Sequence, residues 1–200
     1  MGIRLTFLSW WTPNYIISQK FDHVSSATTG ALKSLLKIYS PNTYIVCETA
    51  EKKHAGNLEK RRAAMAKQHV ELVSALVEAV GREKATKLGR EKLFEVGKEL
   101  GVEIRGKLGI TSKPEDLVKA AKLLYRVLGI EFTVEWIGKT NASLFVYKCE
   151  LAKEYRDVTC LILSATDEGV FNGLQPKAHM KFKNKITDGS SRCIAEIKFT

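Results

Sequence analysis

No stretch of this chain reaches the roughly 18 to 20 consecutive apolar residues that a bilayer-spanning helix needs. No run of five or six like charges occurs either, so nothing marks a nucleic-acid-binding tail. Cysteine is scarce, at 4 in 200 residues with no Cys-x-x-Cys pair, which excludes a disulfide scaffold. The complete phosphate-cradling loop Gly-x4-Gly-Lys-Ser/Thr, the zinc-binding His-Glu-x-x-His and the nucleophile elbow Gly-x-Ser-x-Gly are all missing. The first residues, Met1 to Pro13, carry one charge and no small-residue cleavage site. A secretory leader is therefore not expected, and a reducing, cytoplasmic setting is.

What the chain does have is basic charge. The formal net charge is +10 and the isoelectric point is near 9.4, which raises the question of an anionic partner. The basic residues are interleaved with acids, however: Lys52 to Lys107 holds 14 Lys and Arg against 8 Glu. That mixture reads as solvated helix faces, and nucleic acid is not an expected partner. Hydrophobic content of 44% and charged content of 27% fit one soluble domain with an extension.

Periodicity divides the chain. Residues 1 to 50 are weakly patterned, and Thr43 to Cys47 reads as a short strand or a buried loop. From Leu58 to Val80, Ala66, Val70, Val73, Val77 and Val80 recur at helical spacing until Gly81. A second helix, Arg82 to Leu108, carries Leu93, Val96, Leu100, Ile104 and Leu108 on one stripe. Its Gly89, Gly97 and Gly101 share a face. A helical glycine costs about 1 kcal/mol against alanine, so a close backbone neighbour or a ligand should compensate there. A third helix follows Thr111-Ser112, with Pro114 in its first turn, and ends at Gly129.

The period then switches to two. Ile130, Phe132, Val134 and Trp136 alternate with polar residues, Gly138-Lys-Thr-Asn141 turns, and Ala142, Leu144 and Val146 return. A second hairpin ends the chain, with Lys181, Lys183 and Lys185 predicted on its outer side, Asp188-Gly189 in its turn, and Cys193, Ala195, Ile197 and Phe199 inside. Between the hairpins, Leu151, Tyr155, Val158, Ile162 and Ala165 fit a helix face better than a strand. The expected fold is α+β: helices packed on a four-stranded antiparallel sheet made of two hairpins, with a helix between them.

Three of the cysteines fall in the last third, as Cys149-x10-Cys160-x6-Asp167 and Asp188-Gly189-x3-Cys193. With the glycine-bearing helix upstream, this pattern resembles the L-2-amino-thiazoline-4-carboxylic acid hydrolase-like family and, more distantly, the 4-vinyl reductase domain, within a ligand-binding fold that includes TRAPP subunits. The resemblance implies residues 66 to 200 as the ligand-binding domain and residues 1 to 65 as an extension or cap. It implies hydrolysis of a carbon–nitrogen bond in a small cyclic amidine or thiazoline-type acid. Cys193 or Cys160 would supply a thiolate and Asp167 a general base. Lys181, Lys183 and Arg192 would pair with the substrate carboxylate, and Gly97 and Gly101 would give a ligand close approach.

Other readings of the same residues stay open. Cysteine packs like a small hydrophobe, and Cys193 is in register with apolar core positions. Cys149, Cys160, Cys193 and His179 together would make a Cys3His zinc set, although no metal or other cofactor is required by the motif. His23, His54 and His69 have no matching partner motif, so surface or helix positions suffice for them. A non-catalytic module holding a small molecule or acyl chain is the alternative function. The glycine-faced helix could also serve a homodimer.

Overall fold

The computed structural model describes residues 14–49, 56–111 and 113–199. Among them are six α-helices and one four-stranded sheet. Helices α1 (Asn14–Tyr39) and α2 (Pro41–Thr49) precede α3 (Leu58–Val80), α4 (Arg82–Leu108) and α5 (Pro114–Leu128). Strands β1 (Ile130–Ile137) and β2 (Asn141–Cys149) form the first hairpin. A 3-10 turn (Glu150–Lys153) and α6 (Asp157–Leu174) lead to β3 (Ala178–Asn184), a second 3-10 turn (Ile186–Asp188) and β4 (Cys193–Phe199). All pairings are antiparallel, in the order β1-β2-β4-β3, so the two hairpins join through β2 and β4. The α+β architecture expected from the sequence is the one observed.

Local chemistry explains the helix ends. Asn57 caps α3 by accepting the Lys60 N–H on Oδ1 at 3.0 Å. Gly81, with φ of 79°, stops α3 and starts α4, while Gly129 takes the left-handed conformation at the end of α5. Pro114 occupies the first turn of α5, and the buried Asp116 there accepts a 2.5 Å hydrogen bond from the Thr111 hydroxyl. That bond holds the Asp116 carboxyl below its ordinary pKa. No helix of the described residues is long and apolar enough to cross a membrane.

Three apolar clusters hold the layers together. One lies between the inner face of the sheet and α5 and α6, with Leu117, Phe132, Leu144, Phe171 and Ile197 at its centre. A second joins α1, α3, α4 and α6 through Leu32, Leu72, Leu76, Leu93 and Ile162. The third joins the N-terminal parts of α1 and α3 and the C-terminal end of α5 with the first 3-10 turn, around Phe21, Met65 and Leu151.

Two sequence expectations are corrected here. Thr43 to Cys47 lies within helix α2, not in a strand; Pro41 at the first helical position follows Ser40, whose carbonyl accepts the Tyr44 N–H. The weakly patterned segment also contains the 26-residue α1. Its apolar stripe of Ile17, Phe21, Leu32, Leu35 and Leu36 is interrupted by buried Ser25, Thr28 and Thr29, which blurs the 3.6-residue period. Residues 1–13 and His54 lie outside the described residues, and so does the side chain of Cys47.

Gly97 and Gly101 of α4 face the backbone of α6, and Gly89 faces the Ile162 side chain. A Cβ on Gly97 would stand 2.1 Å from the Thr166 carbonyl oxygen, and one on Gly101 would stand 2.4 Å from that of Val170. The fit is reciprocal, because Gly169 and Gly173 of α6 meet the backbone carbonyls of Phe94 and Lys98 on α4. The compensation for these helical glycines is therefore a backbone neighbour inside the chain. That face is closed to a ligand and to a second copy.

Candidate functional site

A cavity of about 80 Å³ opens where the three apolar clusters meet. Helix α6 supplies its most reactive wall. Cys160 and Asp167 are seven residues apart, two helical turns, so both side chains fall on the same face and both line the cavity. Cys193 enters from the start of β4 and Cys149 from the end of β2. Of the residues singled out in the sequence, Cys160, Asp167 and Cys193 are thus brought together.

The other five are not. Lys181 and Lys183 are exposed on the outer face of β3, where Lys183 pairs with Glu196 of β4 at 3.3 Å. Arg192 is exposed, with its guanidinium 4.5 Å from the ring centre of Phe145. Gly97 and Gly101 sit in the α4–α6 seam. The Cys3His set does not assemble either: His179 is exposed on β3 while the three thiols line the cavity inside. Among the described residues no group of three or more His, Cys, Asp or Glu side chains could hold a metal ion.

The cation that does line the cavity is Lys185, only 8% exposed, with Nζ 3.2 Å from Asp188. Strict alternation places it outside with Lys181 and Lys183. The pairing of β3 with β4 slips between Phe182 and Asn184, and the strand ends at Asn184, so Lys185 turns inward. Strand alternation alone could not reveal this.

His69 is the second residue that sequence reasoning passed over. It is buried on α3 and bridges α1 to the segment before α6. Its Nε2 lies 3.0 Å from the Thr28 hydroxyl and its Nδ1 lies 2.7 Å from the Tyr155 hydroxyl. The single Thr28 hydroxyl proton goes to a backbone carbonyl of α1, Val24 at 2.9 Å or Ser25 at 3.2 Å. The Thr29 hydroxyl also lies within 3.4 Å of Nε2. Thr28, His69 and Tyr155 all line the cavity.

Electrostatics separate the acid from the thiols. Asp167 keeps some accessible surface, but it lines the internal cavities, and burial pushes its carboxyl up to about 7. The nearby Tyr125 hydroxyl opposes that rise and Glu168 adds to it. Glu168 is itself tied to Arg90 at 2.7 Å. Burial also pushes Cys149 up to about 12 and Cys160 up to about 11, and raises Cys193. Lys185 and a Thr187 hydrogen bond pull Cys160 down, without offsetting its desolvation. Cys193 Sγ accepts the Ile186 N–H at 3.3 Å.

At pH 7 a thiol with a pKa of about 11 is ionised in roughly one molecule in ten thousand. The resting thiols are therefore poor nucleophiles. Alkylation by iodoacetamide at pH 7.5, followed by peptide mass mapping, should label Cys160 about 100-fold more slowly in the folded chain than in urea. Fast labelling of Cys160 in the folded chain would restore a thiolate to the site.

A largely apolar cavity with one acid, one buried cation and a few hydroxyls lies between helices and an antiparallel sheet, the setting in which small-molecule sites commonly occur, in an α+β domain. The chain belongs to the L-2-amino-thiazoline-4-carboxylic acid hydrolase family, whose model matches residues 59–196. No curated protein matches it in sequence. Three solved structures share the fold at low identity. A trafficking protein particle complex subunit 3 from Naegleria fowleri, covalently bound to palmitic acid, superposes with a TM-score of 0.54 at 14% identity, covering 70% of this chain and 95% of that one. The phenol-responsive sensory domain of the transcription activator PoxR, with phenol, gives 0.53 at 15% identity over 69% and 74%. An Fe(II) unliganded H-NOX protein mutant from K. algicida gives 0.50 at 10% identity over 88% and 96%.

Proposed function

We propose that this chain hydrolyses a small cyclic amidine-type acid of the thiazoline carboxylate class, opening a carbon–nitrogen bond by attack of water inside the cavity. The observation that carries this reading is the convergence of Asp167, at a pKa of about 7, and the buried Lys185 on one cavity. Lys185 pairs with the substrate carboxylate. Asp167 takes a proton from water as the water oxygen bonds to the carbon between nitrogen and sulfur. It returns that proton to the ring nitrogen as the carbon–nitrogen bond breaks. Cys160 and Cys193 stand beside the reacting carbon as neutral thiols. Helix α1, which lends Val24 and Thr28 to the cavity wall, acts as the cap on a ligand-binding domain formed by residues 66 to 200.

Ring opening of a panel of thiazoline carboxylates by the purified chain tests this. Turnover is expected, and Lys185→Gln should raise KM about tenfold or more while changing kcat less, as loss of a charge-assisted contact implies. Absence of ring opening for every member would overturn the enzymatic reading. A second reading, a non-catalytic sensor-type module, draws support from the apolar share of the wall: Val24, Met65, Leu128, Ile130, Val146 and Phe182. It predicts a retained small molecule in native mass spectra together with no turnover.

A further inference from the structure

A second void of about 50 Å³ lies beside the cavity, between α1, α4 and α5. The two share a wall, because Val24, Tyr125, Leu128, Thr166 and Asp167 line both. Tyr125 and Thr166 are only 5% and 8% exposed; among the described residues the Thr166 hydroxyl has no hydrogen-bond partner, and the Tyr125 hydroxyl has only the nearby Asp167 carboxyl. Buried hydroxyls are normally paired, so the orphan Thr166 beside the Tyr125–Asp167 pair on one wall marks a place where a guest supplies a missing partner. Beyond that wall the surface turns apolar, with Leu100, Ile104, Leu124 and Val170. It ends at a polar mouth where His23 Nε2 lies 3.7 Å from Glu103, beside Lys20. The shared wall sets voids of about 80 and 50 Å³ side by side.

We propose that the natural substrate carries a short apolar substituent on its ring, and that this substituent crosses the shared wall into the second void. The ring and carboxylate stay with Asp167 and Lys185, and the Tyr125 and Thr166 hydroxyls bond the ring heteroatoms as they pass. The substrate class is then a ring-substituted cyclic amidine acid, not the bare thiazoline acid. Leu124 and Ile104, which line only the second void, set the permitted length. This inference rests on the thiazoline-type reading of the first cavity.

The test is calorimetric titration of the full chain with 2-aminothiazole-4-carboxylate, an aromatic analogue used for binding alone, and with its 5-methyl, 5-ethyl and 5-propyl derivatives. Affinity should rise about fourfold per added carbon, as burial of a methylene predicts. Ile104→Phe and Leu124→Trp should each remove that gain while leaving the parent compound bound as before, which also reports an intact fold. Binding of the propyl compound alone supports the inference as well. If the parent binds and the derivatives bind no tighter, or if the gain survives in both void-filling variants, the inference falls and the reading of the first cavity stands. If no member binds, both fall.

Discussion

Asp167→Asn should lower ring opening by about 10² to 10⁴, the usual share of a positioned general base, and should at the same time make the protein more stable at pH 8. The second effect follows from burial. In the unfolded chain the carboxyl titrates near 4, whereas in the folded chain it titrates at about 7. Between those values the folded state holds a proton that the unfolded state has released, so raising the pH favours unfolding. Above pH 7 the folded chain carries a desolvated carboxylate at a cost approaching about 4 kcal/mol. Asparagine has no such cost. The stability difference between variant and wild type should therefore be small at pH 4, grow through pH 7 and level off above it.

Carboxyls with lowered pKa values, such as Asp116 and Asp157, act in the opposite sense on acidification, but they are common to both proteins and cancel in the difference. In wild-type protein the rate should climb with pH to a plateau above about 7, where Asp167 is ionised and able to accept a proton. Thermal unfolding and initial rates across pH 4 to 9 check both effects. A variant that keeps its activity, or that is less stable than wild type at pH 8, contradicts the role given to this residue.

The second large effect concerns the seam that holds α6 in place. Gly97→Ala puts a methyl 2.1 Å from a backbone carbonyl oxygen, and that atom cannot move without its helix. α4 and α6 must separate, and α6 carries Cys160 and Asp167. A loss of about 3 kcal/mol or more is expected, at the upper end of overpacking effects. At about 2 to 4 °C per kcal/mol for a chain of this size, the melting temperature should fall by about 10 °C. Gly106→Ala, in the same helix with nothing within 4 Å of the added methyl, serves as the contrast and should gain up to about 1 kcal/mol. Equal melting temperatures for the two variants would show that the seam is not what fixes the cavity wall.

Much of this architecture is legible in the chain. Gly81, Pro114 and Gly129 punctuate helices whose apolar periods are clear, and the alternation after Ile130 switches the period to two. The convergence of Cys160 with Asp167 follows from their seven-residue spacing once the intervening segment is helical. The site cation was not legible, because Lys185 reaches the inside only through a local slip of pairing, and a strand pattern assumes perfect alternation. His69 was hidden for a different reason. Its partners Thr28 and Tyr155 are 41 and 86 residues away, and only tertiary packing brings them together. Gly97 and Gly101 on one helix face call for a close neighbour, but sequence alone does not say whether that neighbour is a ligand, a second copy or another helix.

The most direct measurement is the carbon-13 NMR titration of the Asp167 carboxyl, in the free protein and with 2-aminothiazole-4-carboxylate present. A desolvating, ligand-taking cavity requires a pKa of about 7 in the free protein and a carboxyl signal that moves when the analogue is added. A carboxyl that titrates near 4, as in water, with a signal unchanged by the analogue, would contradict it.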